Sequence, residues 1–425
     1  MPKRARTKNS EEEGTKKRVA FNQQSSATPL LPPAKTLLER VTAEDFRIVA
    51  GCYERILYGV DGYWQTNEDD ALTLKLEPIF IFPAHTGCLK SLAIGGQYLA
   101  SGSSDEQIRL YNLRLRKELG TLMEHQGSIT TLEFHSKTHL ISGSEDGLIC
   151  IWRSKDWECL KKLKGHKGRI NSLAIHPSGK IALSVSSDRT VILWNLMTGR
   201  KANSLKLKTE GEVVKWNQAG THYAILSDRT VDIYETSSPT PNQTLRHRSR
   251  FLCMKYYAHP TLGDLILTGH EDRKVRIWRS ESGECIRELS GHKGRVKALD
   301  VVCSTPNLRG HSQLHNVLVT CSSDGVIRAW DLDNEVMEQE SGDMVALAEY
   351  NTKSRLTCIS VTLGYRAKAG ESKGANDEDE DGEEEKERTE GGGGSDDDEE
   401  EEEEGEGEGE GEEEESEEEE EEESS

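Results

Sequence analysis

No apolar run in this chain approaches the roughly 18 residues needed to span a bilayer, and the first residues, MPKRARTK, carry charge where a signal peptide has its apolar core. A soluble, unsecreted protein is expected. Its nine cysteines (Cys52, Cys88, Cys150, Cys159, Cys253, Cys285, Cys303, Cys321 and Cys358) are odd in number, scattered, and form no C-x-x-C pair. They read as free thiols of a reducing compartment, implying neither zinc nor disulfides. Also missing are the phosphate loop G-x-x-x-x-G-K-[ST], the H-E-x-x-H zinc motif, the kinase signatures and the G-x-S-x-G nucleophile turn. No catalytic, cofactor-binding or metal-ligating residue is therefore assigned, and no small-molecule substrate or membrane is expected as a partner.

The charge balance is uneven along the chain. From Glu371 to Ser425 there are 34 acidic residues against three basic ones, so residues 1 to 370 carry 51 basic against 42 acidic residues beneath a formal net charge of −22. A mildly basic body is joined to an acidic Glu/Gly tail. Such a tail has almost no apolar surface to offset its conformational entropy, and disorder is expected there.

The body repeats itself. An aspartate recurs at Asp105, Asp146, Asp188, Asp228, Asp272 and Asp324, at spacings of 41, 42, 40, 44 and 52 residues, the last widened by the polar insertion STPNLRGHSQLH at 304 to 315. Six residues after each comes an aromatic: Tyr111, Trp152, Trp194, Tyr234, Trp278 and Trp330. Four residues before it stand Ser101, Ser142, Ser184, Ala224, Thr268 and Thr320, and near each unit's start His85, His125, His166, Thr209, His247 and His292. With Thr209 and Ala224 the fourth unit is degenerate.

A histidine, a hydroxyl, an aspartate in a tight turn and a tryptophan on a period near 40 resemble the WD repeat of β-propellers, in which each unit is one four-stranded blade. Apolar residues on both faces of the strands, as in LICIW at 148 to 152, fit sheets sandwiched between sheets. The aspartate can bond the His ring, the ring the hydroxyl, and the hydroxyl the indole N–H, which satisfies polar groups otherwise costly to bury. Five sets follow: His85/Ser101/Asp105/Tyr111, His125/Ser142/Asp146/Trp152, His166/Ser184/Asp188/Trp194, His247/Thr268/Asp272/Trp278 and His292/Thr320/Asp324/Trp330. A hydrolase triad does not account for a constellation that recurs five times without an oxyanion-hole motif.

Six units would leave an open sheet edge. The chain ends supply a seventh blade if FRIVAGCYERILYGV (46 to 60) gives two strands with Glu54 in the Asp slot and VALAEYNTKSRLTCISV (345 to 361) gives a unit start with Thr352 in the His slot. The reading is an all-β, seven-bladed WD-repeat propeller over 46–363, preceded by a basic arm (1–45) and followed by the acidic tail (364–425).

VAGCYERILYG, HLISGSEDGLICIW, WECLKKLKGHKGRINSLAIHPSGKIALSV and RLTCISV together resemble the p21-activated-kinase-interacting protein family. That resemblance implies a nucleolar, non-enzymatic scaffold in the maturation of the large ribosomal subunit, the role of the fungal members; the animal members imply an adaptor that negatively regulates the kinase. The partners implied are proteins of the pre-ribosomal particle, with rRNA, bound by a monomer within a larger assembly. In the N-terminal arm, Lys3 and Arg4, then Lys16, Lys17 and Arg18, have the look of a bipartite nuclear import signal, so nucleus and nucleolus are expected. Ser10, Ser395 and Ser416 each precede acidic runs that an acidophilic kinase prefers.

The repeat register also selects a binding face. His loops and Asp turns open on one rim, where the later units place Lys167, Arg169, Arg189, Arg229, Arg248, Arg250, Arg273, Lys274, Lys293, Arg295, Lys353 and Arg355. This basic arc, interrupted by Glu210 and Glu212, is expected to engage rRNA or an acidic protein partner, with the acidic tail competing for it.

Overall fold

The computed structural model describes residues 44–67, 71–306, 308, 313–332 and 345–365, and within them 28 strands form seven four-stranded antiparallel sheets with no helix. Blade one is β4 (Leu89–Gly95), β5 (Tyr98–Ser103), β6 (Ile108–Asn112) and β7 (Lys117–Leu122). Blade two is β8 (Ile129–His135), β9 (His139–Ser144), β10 (Leu148–Arg153) and β11 (Glu158–Lys164). Blade three follows as β12 (Ile170–Ile175), β13 (Ile181–Ser186), β14 (Thr190–Asn195) and β15 (Arg200–Lys206), and blade four as β16 (Val213–Trp216), β17 (His222–Ser227), β18 (Thr230–Glu235) and β19 (Pro241–Arg246). Blade five is β20 (Phe251–His259), β21 (Gly263–His270), β22 (Val275–Arg279) and β23 (Cys285–Leu289); blade six is β24 (Val296–Ser304), β25 (His315–Ser322), β26 (Val326–Asp331) and β27 (Ala348–Asn351).

The closing blade joins the two ends of the propeller. Its order is β28 (Leu356–Leu363), β1 (Phe46–Cys52), β2 (Ile56–Thr66) and β3 (Leu72–Pro83), with Phe46 opposite Leu363 and Gly51 opposite Cys358. The sequence pattern pointed to two strands from the N-terminal side; the structure adds β3, an outer strand in which only Leu74 is buried. The first strands of successive blades touch in a cycle, β4 to β8, β12, β16, β20, β24, β28 and back to β4. They line a central channel and leave no blade without two neighbours.

Burial follows position in the blade. The second strands are buried almost throughout, as in β5, β9, β13 and β25, whereas the outermost strands β11 and β15 are largely exposed. A strand covered on both faces must be apolar on both, and this is why the alternation expected of a one-sided sheet is missing from ALSVS and LILTG.

A buried ion pair braces the N-terminal hairpin of the closing blade. Arg47 on β1 donates from Nε to Asp61 Oδ1 at 2.7 Å and from Nη2 to Asp61 Oδ2 at 3.1 Å, while Nη1 reaches the Leu113 carbonyl of blade one at 3.0 Å. Tyr58 and Ser354 share a hydrogen bond of 2.7 Å, and the Trp64 indole donates to Ser304 of blade six at 3.2 Å. Apart from Glu44, Asp45, Gly364 and Tyr365, which pack on the closing blade, the expected arm and acidic tail lie outside the described residues, as do the import-like signal and the serines Ser10, Ser395 and Ser416.

Candidate functional site

In blades one, two, three and six the Asp turn is bonded to the His loop that leads into its own blade. In blade three, His166 Nδ1 lies 3.1 Å from Asp188, its Nε2 lies 2.7 Å from Ser184 Oγ, and the Trp194 indole donates to that hydroxyl at 2.8 Å. Blade two repeats this with His125 to Asp146 at 2.9 Å, His125 to Ser142 at 2.8 Å and Trp152 to Ser142 at 2.8 Å. In blade one His85 bridges Asp105 at 3.0 Å and Ser101 at 2.7 Å, but the buried Tyr111 hydroxyl has no hydrogen bond of normal geometry, so the indole link is missing. The carboxylates do more than hold the ring. Asp105, Asp146, Asp188 and Asp324 each accept the backbone N–H of the residue after the histidine, at 3.0, 3.0, 2.9 and 2.7 Å.

Burial works against a charged Asp188, yet the Thr190 hydroxyl, the Lys167 amide and His166 outweigh it and hold its carboxyl down to about 2. The histidines move the same way for the opposite reason. Burial disfavours the imidazolium, so His85 and His166 sit below the ordinary value despite their aspartates, and His292 falls to about 4.

Two of the expected sets differ in the structure. In blade six His292 bonds Thr320 at 2.9 Å and Trp330 bonds the same hydroxyl at 2.9 Å, but His292 Nδ1 stands 3.6 Å from Asp324, too long for a hydrogen bond. Asp324 spends its oxygens on the amides of Lys293, Gly294 and Val326. In blade five the expected His247 does not reach Thr268. His270, two residues before the turn aspartate, takes its place: Nε2 lies 2.9 Å from Thr268 Oγ1, to which Trp278 donates at 2.8 Å. His247 instead accepts the Ser249 amide at 3.0 Å and packs edge-on against His270, ring centroids 5.0 Å apart. Asp272 turns to the buried Arg276 guanidinium at 2.7 Å. The other turns carry Ser103, Ser144, Ser186 and Ser322 at the slot of His270, where the hydroxyl receives the aspartate amide. A histidine there was the signal in the sequence that blade five is wired differently.

His270 is pushed down to about 3, by burial first and by Arg276 second. Since the unfolded value is near 6.5, the unfolded chain takes up protons below that pH that the native His270 and His292 refuse. Their contribution is present above about pH 6.5 and is lost as pH falls toward 4, at about 1.4 kcal/mol per pH unit for each fully unprotonated ring. Urea unfolding between pH 6.5 and 5 should therefore show falling stability, with the slope reduced by about one proton in His270→Ser. A flat profile would contradict the assignment.

The closing blade keeps the geometry without the chemistry. Tyr53 N–H donates to the Arg355 carbonyl at 2.8 Å, as Ser187 does to Arg169 and Ser323 to Arg295, which places Glu54 in the Asp slot. Arg55 after it has φ 72°, matching Glu106, Arg189 and Arg273 at the same turn position. Thr352 holds the His position, and its hydroxyl donates to the Gly325 carbonyl at 2.8 Å. In degenerate blade four, Asp228 is 63% exposed and meets only Arg250 at 3.3 Å and Arg229 at 3.7 Å. His259 is buried and accepts the Leu262 amide at 3.1 Å, capping the β20–β21 turn.

All twelve predicted rim cations reach the surface, eleven exposed and Lys274 half-buried. They are not equally available. Arg169 pairs with Glu210 at 3.0 Å, Arg250 with Glu212 at 2.6 Å, Arg295 with Glu271 at 2.9 Å, Lys274 with Glu288 at 2.6 Å and Arg229 with its neighbour Asp228. Glu210 and Glu212 thus neutralise the arc rather than merely interrupt it. Among the described residues Lys167, Arg189, Arg248, Arg273, Lys293, Lys353 and Arg355 have no ion pair.

Seven blades stitched by recurring Asp–His–hydroxyl networks define a WD-repeat β-propeller. The model of the WD domain, G-beta repeat, matches residues 76–112, 116–153, 157–195, 239–279 and 283–331, passing over most of blade four and the closing-blade strands β1, β2 and β28. The chain is 39% identical over 321 residues to p21-activated protein kinase-interacting protein 1-like of Danio rerio, covering 76% of this chain and 82% of that one. It is 35% identical over 354 residues to Protein MAK11 of Saccharomyces cerevisiae (74% and 83% covered) and 34% identical over 328 residues to p21-activated protein kinase-interacting protein 1 of Homo sapiens (76% and 79% covered). The chain belongs to this family of p21-activated protein kinase-interacting protein 1 and MAK11.

Proposed function

We propose that this propeller is a nucleolar scaffold in the assembly of the large ribosomal subunit, holding proteins of the pre-ribosomal particle on the face of its His loops and Asp turns. The observation that carries this reading is a set of unpaired cations held on one face at a cost. Arg189, Arg273 and Lys353 adopt φ of 59°, 74° and 60°, a left-handed conformation that costs a side-chain-bearing residue roughly 1 kcal/mol over glycine. Gly147 and Gly325 occupy the turn position of Arg189 and Arg273 elsewhere in the ring, whereas Lys353 lies in a His-slot loop, so the two arginines are not required by the turn. The likeness to MAK11 and the import-like residues Lys3, Arg4, Lys16, Lys17 and Arg18 support the compartment.

A second reading, an adaptor that restrains a p21-activated-type kinase, is favoured by the names of the animal relatives and of Shk1 kinase-binding protein 15 of Schizosaccharomyces pombe. Localisation separates the two. A fluorescently tagged full chain should concentrate in nucleoli and lose that concentration when residues 1 to 20 are removed; a cytoplasmic distribution of the intact chain would favour the adaptor.

A further inference from the structure

The mouth of the central channel is built from a ring of bulged residues. In six blades the first inner strand carries one extra residue where it enters the sheet: Lys90, Thr130, Asn171, Leu252, Lys297 and Thr357. A bulge re-aims its side chain out of the ladder, and here most of these side chains cross to the following blade. Thr130 donates to the Ile170 carbonyl at 2.6 Å, Asn171 to Gly211 at 2.8 Å, Thr357 to Leu89 at 2.8 Å, and Lys90 pairs with Glu145 at 2.7 Å.

Leu252 and Lys297 break the pattern. Leu252 has no donor to offer, and Lys297 makes no hydrogen bond or ion pair among the described residues. Instead it faces like charge: burial lowers its pKa, and Arg355 and Arg295 lower it further. Beside it the Arg355 guanidinium lies 5.6 Å above the ring of Tyr53, a tyrosine 58% exposed. Three cations and an open aromatic face thus gather where two neighbouring blade seams lack their bridge, and of the three only Arg295 has an ion pair among the described residues, with Glu271 at 2.9 Å.

The other half of the mouth is balanced. There a cavity of about 320 Å³ is lined by Glu145, Glu210, Glu212, Arg169 and Arg250, and each of these acids is paired with a cation. A polyphosphate strand laid across the mouth would meet three carboxylates on that side. A peptide can concentrate its negative charge at one end.

We propose that Lys297, Arg295, Arg355 and Tyr53 form a receptor at the channel mouth for an acidic segment of a protein partner, its carboxylates over Lys297 and Arg355 and its chain against the Tyr53 ring. The inference rests on the face of His loops and Asp turns being the working surface, and it names the chemistry of what binds there. Carboxylates relieve the repulsion among the three cations and fill the place that Thr, Asn or an acidic partner fills at the other seams.

Site-specific photocrosslinking in the full chain tests it. With benzoylphenylalanine in place of Tyr53, irradiated growing cells should yield a crosslink to a Glu/Asp-rich stretch of another protein, mapped by mass spectrometry. Lys297→Glu should lower that yield about tenfold, Lys297→Arg should retain it, and the melting temperature should be unchanged in both. Crosslinking to RNA, to residues 371–425 of the same chain, or to a segment without acidic residues would overturn the proposal. Crosslinks from the opposite rim, through Met197 in the β14–β15 turn, with none from Tyr53, would overturn the choice of face as well.

Discussion

Asp188→Ala should unfold far more readily than wild type, and Asp228→Ala should scarcely differ from it. Asp188 accepts the Lys167 and Thr190 amides at 2.9 Å each, the Thr190 hydroxyl at 2.6 Å and the His166 ring at 3.1 Å. Removing it strands two amides and leaves the Thr190 hydroxyl and the buried His166 imidazole with one support fewer, a loss on the order of 2 to 4 kcal/mol. Asp228 has only exposed arginines for partners, and exposed pairs contribute about 1 kcal/mol or less. Urea midpoints of the two purified variants decide the matter: equal losses would contradict the view that the networks, rather than the turns themselves, hold each His loop to its blade.

Arg47→Ala should be the most damaging single change at the ring closure. The guanidinium is 3% exposed and its partner Asp61 1% exposed, so truncation leaves a buried carboxylate unpaired and releases the Leu113 carbonyl. Breaking a buried pair from one side costs about 3 to 5 kcal/mol. Replacing both partners with apolar residues, Arg47→Met with Asp61→Leu, removes the unpaired charge and should recover most of that loss. A single variant as stable as the wild type would mean that the closing blade is held by its strand pairing and apolar contacts alone.

Much of this was legible in the sequence because a repeat samples the same geometry several times. Five aspartates at near-constant spacing, each six residues before an aromatic, fix the turn and the strand after it, and Glu54 could be aligned into the closing blade on that register alone. The failures sit where the repeat is broken by a single residue. Blade five keeps His247 at its expected position, so spacing alone gives it the ring's role, but His270 at the aspartate-minus-two slot competes for Thr268 from within its own strand. That contact is local, two residues apart on one face, and needs no loop to be placed. β3 escaped notice because it carries none of the repeat's polar markers. The rim cations lie at the surface, but a linear sequence does not show that Arg169 would find Glu210 and Arg250 would find Glu212 across a blade seam. Lys297 was missed for a related reason, since its role depends on a bulge visible only once strand register is known.

Sedimentation of the full-length tagged chain from growing cells, with and without Lys297→Glu and Arg355→Glu together, tests the central claim most directly. The account predicts that the wild-type chain migrates with precursors of the large ribosomal subunit and that the double variant, unchanged in melting temperature, moves to the top of the gradient. A wild-type chain found at the top with a kinase, or a double variant that stays with the particles, would contradict it.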